Sequence, residues 1–155
     1  TIPRFLQSEH YEPRTTLPTL SNAMDVAAPS NFVRVLELFQ QELPRLKKDL
    51  TSVSVTDAQT VETIKKVADA YGYLLDPHGA VGFYALERYI SQHPGSKGFF
   101  LETAHPVKFP DAVRQATGRE VPVPASLEPL MRKEKISTFI APRYEELRDY
   151  LKGKA

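Results

Sequence analysis

The clearest helix predicted from the pattern of apolar positions lies between Thr56 and Gly72. Thr56 and Gln59 have the spacing of a capping box at its start, and Gly72 stands where a left-handed residue commonly ends a helix. The apolar positions recur at intervals of three and four residues, at Val61, Ile64, Val67, Ala68 and Tyr71. This segment is therefore predicted to be an amphipathic helix.

Other windows also carry a helical pattern. A helix from Gly79 or Ala80 to about Gln92 is apolar nearly all round, which is typical of a helix buried on most sides. An earlier amphipathic pattern follows Ser30, its expected cap, and is predicted to break at Pro44. Shorter helices are predicted over residues 109–117, from Ser126, and from Pro142 towards the end of the chain.

Two apolar runs predict strands. Residues 97–103 contain the run Phe99-Phe100-Leu101 between turn residues, as in a strand covered on both faces. Residues 138–140 are a second candidate, and residues 20–24 are expected to be a short extended piece within an irregular first thirty residues. Alternating strands and helices favour the α/β class, with few strands and several helices. So few strands cannot complete a doubly wound sheet, so either some of the helices belong to a helical layer or the sheet is finished by residues outside this chain.

Composition narrows the class of protein. The 155 residues are 41% hydrophobic and 25% charged, as in globular proteins, and 20 Lys and Arg nearly balance 19 Asp and Glu. This balance gives no general attraction to nucleic acid or to an anionic membrane, and no apolar run approaches the ~20 residues of a membrane helix. The chain has no cysteine, and its four histidines lack metal-ligand spacing. We expect a cytoplasmic protein without a metal, a nucleic-acid partner or a membrane partner.

The strongest candidate site follows the predicted strand over residues 97–103. Glu102, Thr103 and His105 stand where the strand should end, and parallel sheets bind ligands at that edge. The structural alternative is that these residues finish the strand and cap the next helix. No common catalytic motif is present, neither a Walker loop nor a glycine-rich dinucleotide turn.

Two weaker candidates lie at the starts of predicted helices. Asp76 and His78 open the apolar helix, where a structural role as a cap is the simpler interpretation. Free amides near Ser30 and Asn31, together with the Arg34 guanidinium, could hold a phosphate group. The alternative there is an ordinary cap and a surface arginine.

Several motifs resemble those of one enzyme family. The segment Glu102-Thr103-Ala104-His105-Pro106-Val107-Lys108-Phe109 resembles the Thr-Ala-His-Pro-x-Lys-Phe signature of microbial threonine synthases. Asp76-Pro77-His78-Gly79-Ala80-Val81 is similar to their Asp/Glu-Pro-His-x-Ala-Val segment, with Gly79 where Thr or Ala is commoner. Further similar stretches occur in family order at residues 1–6, 20–26 and 29–32. The chain resembles the C-terminal segment of this family.

The resemblance implies that residues 1–155 form a single, incomplete α/β domain, the C-terminal part of a tryptophan synthase β-like, type II pyridoxal-phosphate enzyme. Such a lyase converts O-phospho-L-homoserine and water to L-threonine and phosphate. The lysine that attaches the cofactor and the loop that holds its phosphate belong to the N-terminal portion, upstream of the stretch that Thr1 matches. The isolated chain is therefore expected to be inactive, with the N-terminal portion as its partner and some self-association through exposed apolar surface.

The resemblance also assigns residues. Thr103 matches the threonine whose hydroxyl faces the pyridine nitrogen of the cofactor. His105 and Lys108 share the motif and are candidates for substrate or cofactor contact, while Ser30, Asn31 and Arg34 remain candidates for the substrate phosphate. The alternative function is a non-catalytic domain of the same fold that binds a partner or a small molecule.

Overall fold

The computed structural model describes residues 1–153, apart from the side chain of Met24. Helices account for all the regular structure within these residues, and no β-strand occurs among them. The α-helices are α1 (Ile2–Ser8), α2 (Phe32–Leu38), α3 (Leu43–Asp49), α4 (Asp57–Tyr71), α5 (Pro77–Gln92), α6 (Pro110–Thr117), α7 (Glu128–Met131) and α8 (Tyr144–Lys152), with 3-10 turns at Asn22–Met24 and Pro106–Lys108. The chain divides into two compact units, Thr1–Pro122 and Val123–Ala155.

The irregular start predicted for the first unit is wrong over residues 2–8 and holds over residues 10–19. Residues Ile2–Ser8 form α1, since a proline at position 3 lies in the first turn, where no backbone N–H is needed. The apolar side of α1 packs on the next two helices: the rings of Phe5 and Phe32 meet edge to face at 5.4 Å, and Leu46 is buried beside them. These tertiary contacts stabilise a helix in a segment whose sequence has no extended helical periodicity of apolar residues.

The extended piece predicted over residues 20–24 is also wrong. The chain turns there, with a 3-10 turn at Asn22–Met24. Two carboxylates hold it: Asp57 accepts the Leu20 N–H at 3.1 Å, and Asp25 accepts the Thr19 hydroxyl at 2.7 Å. These side-chain hydrogen bonds replace the ladder that a strand would need.

The helix predicted after Ser30 differs from α2 and α3 in detail. The N-cap of α2 is Asn31, whose side chain makes no capping hydrogen bond, so Ser30 is not the cap. The break comes at Gln40 and Gln41, both of positive φ, rather than at Pro44. Pro44 instead stands in the first turn of α3, where its missing N–H costs no hydrogen bond.

The helix predicted between Thr56 and Gly72 is confirmed as α4. Gln59 N–H donates to the Thr56 hydroxyl at 3.3 Å, and Thr56 N–H donates to the Gln59 side chain at 2.9 Å, which completes the capping box. Gly72 ends the helix at φ 67°. This helix packs against α5 and α6 and supplies the centre of a core made of Ile64, Val67, Leu75, Ala80 and Ala116.

The strand predicted over residues 97–103 is not present, because no other segment of residues 1–153 pairs with it and a strand needs a hydrogen-bonded neighbour. It runs beside α5 instead. The Phe100 ring meets that of Phe83 edge to face at 5.7 Å. Phe99 and Leu101 stay 85% and 70% exposed, so the expectation that both faces are covered is wrong as well.

The second unit contains α7 and α8. The strand predicted over residues 138–140 is absent from the described residues, and Phe139 is 97% exposed. The last helix begins at Tyr144, two residues after Pro142, and carries an ion pair between Arg143 and Glu146 at 2.9 Å. Over residues 1–153, no helix has the length and apolar character needed to cross a membrane.

Because the Thr56 hydroxyl accepts the Gln59 N–H, Thr56→Ala removes this bond of the capping box and should lower the free energy of unfolding by about 1 kcal/mol. Thr56→Ser, which keeps the hydroxyl, should lower it much less. Urea denaturation of the three proteins tests this, and equal midpoints for the Ala and Ser variants would contradict the role of the hydroxyl.

Candidate functional site

The motif residues around Thr103 line one side of a cleft of about 580 Å³ in the first unit. Its walls come from the turn after α4, from the segment that follows residue 101, and from the end of the unit. The lining residues are Gly72, Tyr73, Leu74, Glu102, Thr103, Ala104, His105, Pro106, Lys108, Val121 and Pro122. The volume lies in the range of small-molecule sites.

Asp76 is a buried carboxylate in contact with Glu102, one of the residues that line this cleft. Its side chain is 0% exposed and caps α5, with its two oxygens accepting the amides of His78 at 2.9 Å and Gly79 at 3.4 Å. The His78 ring nitrogen Nδ1 lies 2.6 Å from the same carboxylate. The structural interpretation of Asp76 as a helix cap is therefore confirmed.

Glu102 brings a second carboxyl group to the same point. Although the residue is exposed overall, its Oε1 accepts the Asp76 N–H at 3.4 Å. A Cβ added to Gly79 would lie only 2.2 Å from the Glu102 Oε2, so the carboxyl occupies the space that the glycine leaves free. The end of the Glu102 side chain therefore packs in the space where any residue other than glycine at position 79 would have its Cβ.

The two carboxyl groups share a hydrogen bond, and their pKa values move apart. Burial raises the pKa of Glu102 to about 7, and the bond to Asp76 and its negative charge act in the same direction. Burial also raises the pKa of Asp76, but hydrogen bonds from Glu102, His78 and Gly79 outweigh burial and lower it below its ordinary value. As the pH falls through about 7, the pair therefore takes up one proton, on Glu102.

Thr103 follows Glu102 and is exposed at the cleft. Within residues 1–153 its hydroxyl has no hydrogen-bond partner, so it is free to bind a ligand. The residues on either side are held, since Phe100 packs on α5 and Pro106 is buried. Thr103 therefore presents a free hydroxyl from an anchored segment.

His105 and Lys108 line the same cleft and are both exposed. The Nδ1 atom of His105 accepts the Val107 N–H at 3.1 Å and caps the short turn that follows. A neutral imidazole that accepts at Nδ1 carries its proton on Nε2, so His105 has one N–H left for a ligand. Its structural role in the turn is present, and a contact with a ligand remains compatible with it.

The remaining predicted site residues do not join this group. Ser30, Asn31 and Arg34 are exposed at the start of α2, and none of them lines the cleft. His78 is part of the Asp76 cap and packs on the Phe109 ring at 5.0 Å. No three His, Asp or Glu side chains of the described residues come close enough together to hold a metal ion.

Sequence reasoning missed the contact between Glu102 and Gly79. A visible signal was the glycine at position 79, where the motif commonly carries a larger residue. The cleft residues Tyr73, Val121 and Pro122 carried no such signal, because turns and loops bring them to the site without a pattern of their own.

Comparisons with known proteins agree with the motifs. Residues 79–151 match the family model described as threonine synthase, C-terminal. Threonine synthase from Serratia marcescens is 39% identical over 153 residues, which is 99% of this chain and 35% of that protein. The Escherichia coli enzyme is 41% identical over 127 residues, 82% of this chain and 29% of that protein.

Solved structures agree as well. The crystal structure of threonine synthase from Escherichia coli matches the whole chain with a TM-score of 0.84 at 35% identity. The threonine synthase from Brucella melitensis with pyridoxal phosphate bound matches 98% of the chain with a TM-score of 0.69 at 29% identity. The chain covers 35% and 38% of those two chains.

The sequence and fold matches cover nearly the whole chain. The chain belongs to the threonine synthase family. Nearly all of the chain matches these curated relatives, but it spans only about 35% of their length.

The pKa of about 7 at Glu102 predicts a pH dependence of stability. Its raised pKa in the folded state means that its contribution is complete below about pH 4.5 and is lost as the pH rises through about 7. Glu102→Gln cannot titrate, so its stability relative to the parent should rise between pH 4.5 and 8. Urea denaturation across this range tests the prediction.

The control for this measurement is Glu12→Gln, a substitution at an exposed glutamate in the same unit. Its stability relative to the parent should stay flat over the same range. The same flat curve for Glu102→Gln would show that Glu102 titrates as an ordinary glutamate.

Proposed function

We propose that this chain is the C-terminal part of a pyridoxal-phosphate-dependent threonine synthase. The complete enzyme would convert O-phospho-L-homoserine and water to L-threonine and phosphate. The observation that carries the proposal is the free hydroxyl of Thr103, held at a cleft by an anchored segment within the matched motif. The threonine synthase of known structure that has pyridoxal phosphate bound supports the choice of cofactor.

The residues at the cleft fit this cofactor. Its volume of about 580 Å³ suits a molecule of this size, and its wall offers a hydroxyl, an imidazole and an ammonium group, on Thr103, His105 and Lys108. When bound, pyridoxal phosphate supplies an electron sink for negative charge that develops on the substrate. The protein's task is to orient the ring and to control its protonation.

Thr103 would orient the ring. Its hydroxyl is the group proposed to hydrogen-bond to the pyridine nitrogen. A neutral hydroxyl, unlike a carboxylate, does not strongly favour the protonated ring. The choice of threonine at this position therefore suits chemistry in which the ring nitrogen stays neutral.

His105 and Lys108 would contact the substrate or the cofactor from the same wall. The Nε2–H of His105 remains available after Nδ1 has capped the turn, and it can donate to an oxygen of either molecule. The Lys108 ammonium favours an anionic group at the cleft. Ser30, Asn31 and Arg34 stay candidates for the substrate phosphate on the basis of the motif alone.

The remainder of the enzyme is the partner that this proposal requires. The chain spans only about 35% of the length of its relatives. The family resemblance implies that the lysine that attaches the cofactor and the loop that holds its phosphate lie upstream of the stretch that Thr1 matches. Reading the coding sequence upstream of Thr1 tests the proposal directly. An open frame with a Gly-Asn-Phe-Gly-Asn loop and a cofactor lysine supports it, whereas a start codon immediately upstream supports a separate binding domain.

The 155-residue chain on its own should not release phosphate from O-phospho-L-homoserine, because those two elements lie outside it. A phosphate-release assay on the purified chain, with the complete enzyme as the positive control, measures this. Saturable and stoichiometric release by the chain alone would overturn the assignment of the missing elements.

Thr103→Val in the complete enzyme should weaken cofactor retention and lower turnover by roughly 10- to 100-fold. The substitution keeps the branched shape but removes a hydrogen bond of ~1–3 kcal/mol. Thr103→Ser keeps the hydroxyl and should have a much milder effect. Cofactor titration and turnover of the two variants, in protein shown to be folded, decide the matter. If both variants match the parent, Thr103 does not contact the cofactor.

A further inference from the structure

The segment that carries Thr103 is held to α5 at alternate residues. Phe100 lies over Gly82, where an added Cβ would meet the phenylalanine Cβ at an ordinary 3.5 Å. Glu102 lies over Gly79, where an added Cβ would overlap its carboxyl at 2.2 and 2.6 Å. The two glycines lie one turn apart on α5. The segment therefore contacts the helix at two consecutive turns, through Phe100 at Gly82 and through Glu102 at Gly79.

The contacts that Phe100 and Glu102 make with α5 differ in kind. Phe100 is held by apolar contact with Phe83 and tolerates small movements. The Glu102 carboxyl is held by directional bonds, because its Oε1 accepts the Asp76 N–H and its group is bonded to the buried Asp76 carboxylate. Glu102 is also nearer than Phe100 to Thr103 along the chain.

Thr103 itself makes no side-chain hydrogen bond within the described residues, and it is exposed. Its position therefore depends on its neighbours. Glu102 is joined to it by one peptide bond, and on the other side the chain is next held at His105 and Pro106. Release of Glu102 would leave the three residues from Leu101 to Thr103 without a polar anchor.

We propose that Glu102 is the positioning residue for Thr103, and that Gly79 is its required counterpart because only glycine leaves room for the carboxyl. This rests on the proposed function in one respect, that the hydroxyl so presented serves the cofactor ring. Glu102 acts through the backbone of Thr103 and needs no contact with the cofactor.

The sharpest variant is Gly79→Ala. The added methyl group displaces the Glu102 carboxyl, which is the end of a flexible side chain, and leaves the rest of α5 in place. Alanine is a better helix former than glycine, so the variant should unfold no more readily than the parent. Gly82→Ala is the matched control, since it makes the same change one turn later with ordinary contact.

A second pair of variants separates the position of Glu102 from its charge. Glu102→Gln keeps the shape, an oxygen that accepts the Asp76 N–H and a donor for the Asp76 carboxylate, so Thr103 should remain ordered. Glu102→Ala removes the anchor and should match Gly79→Ala. A merely structural contribution to stability would not reproduce this pattern.

The measurement is ¹⁵N relaxation at Thr103 in the 155-residue chain, with the ¹³C-detected titration of the Glu102 carboxyl. In Gly79→Ala, the Glu102 pKa should fall from about 7 towards its ordinary value. The Thr103 order parameter should fall from about 0.85, typical of a rigid backbone, to below about 0.6. Gly82→Ala should change neither. If the carboxyl is released while the Thr103 order parameter stays high, Glu102 does not position Thr103.

Retention of pyridoxal phosphate by the complete enzyme completes the test. Gly79→Ala should weaken retention up to the 10- to 100-fold expected of Thr103→Val, and should add nothing in the Thr103→Val background. Additive effects would overturn the proposal. If Thr103→Val alone has no effect, the assignment of Thr103 to the cofactor fails, whereas the order parameter still decides whether Glu102 positions it.

Discussion

Asp76 sets the constraint on which the site depends. A carboxylate that is 0% exposed has to find hydrogen bonds within the protein, and this one finds them in the first amides of α5 and in the His78 ring. These bonds define where α5 begins, and they hold the Asp76 carboxylate next to Glu102, which lines the cleft. Burial, the hydrogen bond to Asp76 and the negative charge of Asp76 all raise the pKa of Glu102, whereas hydrogen bonds from Glu102, His78 and Gly79 lower the pKa of Asp76.

The same arrangement explains how residues 97–103, which pair with no strand, are held in position. The Phe100 ring and the Glu102 carboxyl contact α5, although Glu102 is exposed overall, and the residues between and beside them, Phe99, Leu101 and Thr103, are exposed as well. Side chains that alternate in this way give the segment one anchored side and one presented side. The presented side ends in a hydroxyl at the cleft, and the threonine synthase motif coincides with that end.

The sequence predicted the elements whose signals are local. The capping box at Thr56, the left-handed Gly72 and the end of α6 at Gly118 all depend on residues close in the chain, and all are confirmed. The strands failed because pairing depends on a neighbour that residues 1–153 do not provide, and α1 was missed because distant contacts of Phe5 stabilise it. The motif predicts Thr103 as a site residue, whereas the contact of Glu102 with Gly79 could be found only by knowing that α5 and residue 102 meet in space.

The most direct test of this account is a crystal structure of the complete enzyme with pyridoxal phosphate bound. The account predicts that the Thr103 hydroxyl lies within about 2.6–3.2 Å of the pyridine nitrogen, with the Glu102 carboxyl still seated on Gly79. A ring nitrogen that bonds to another residue, with Thr103 facing solvent, would contradict it.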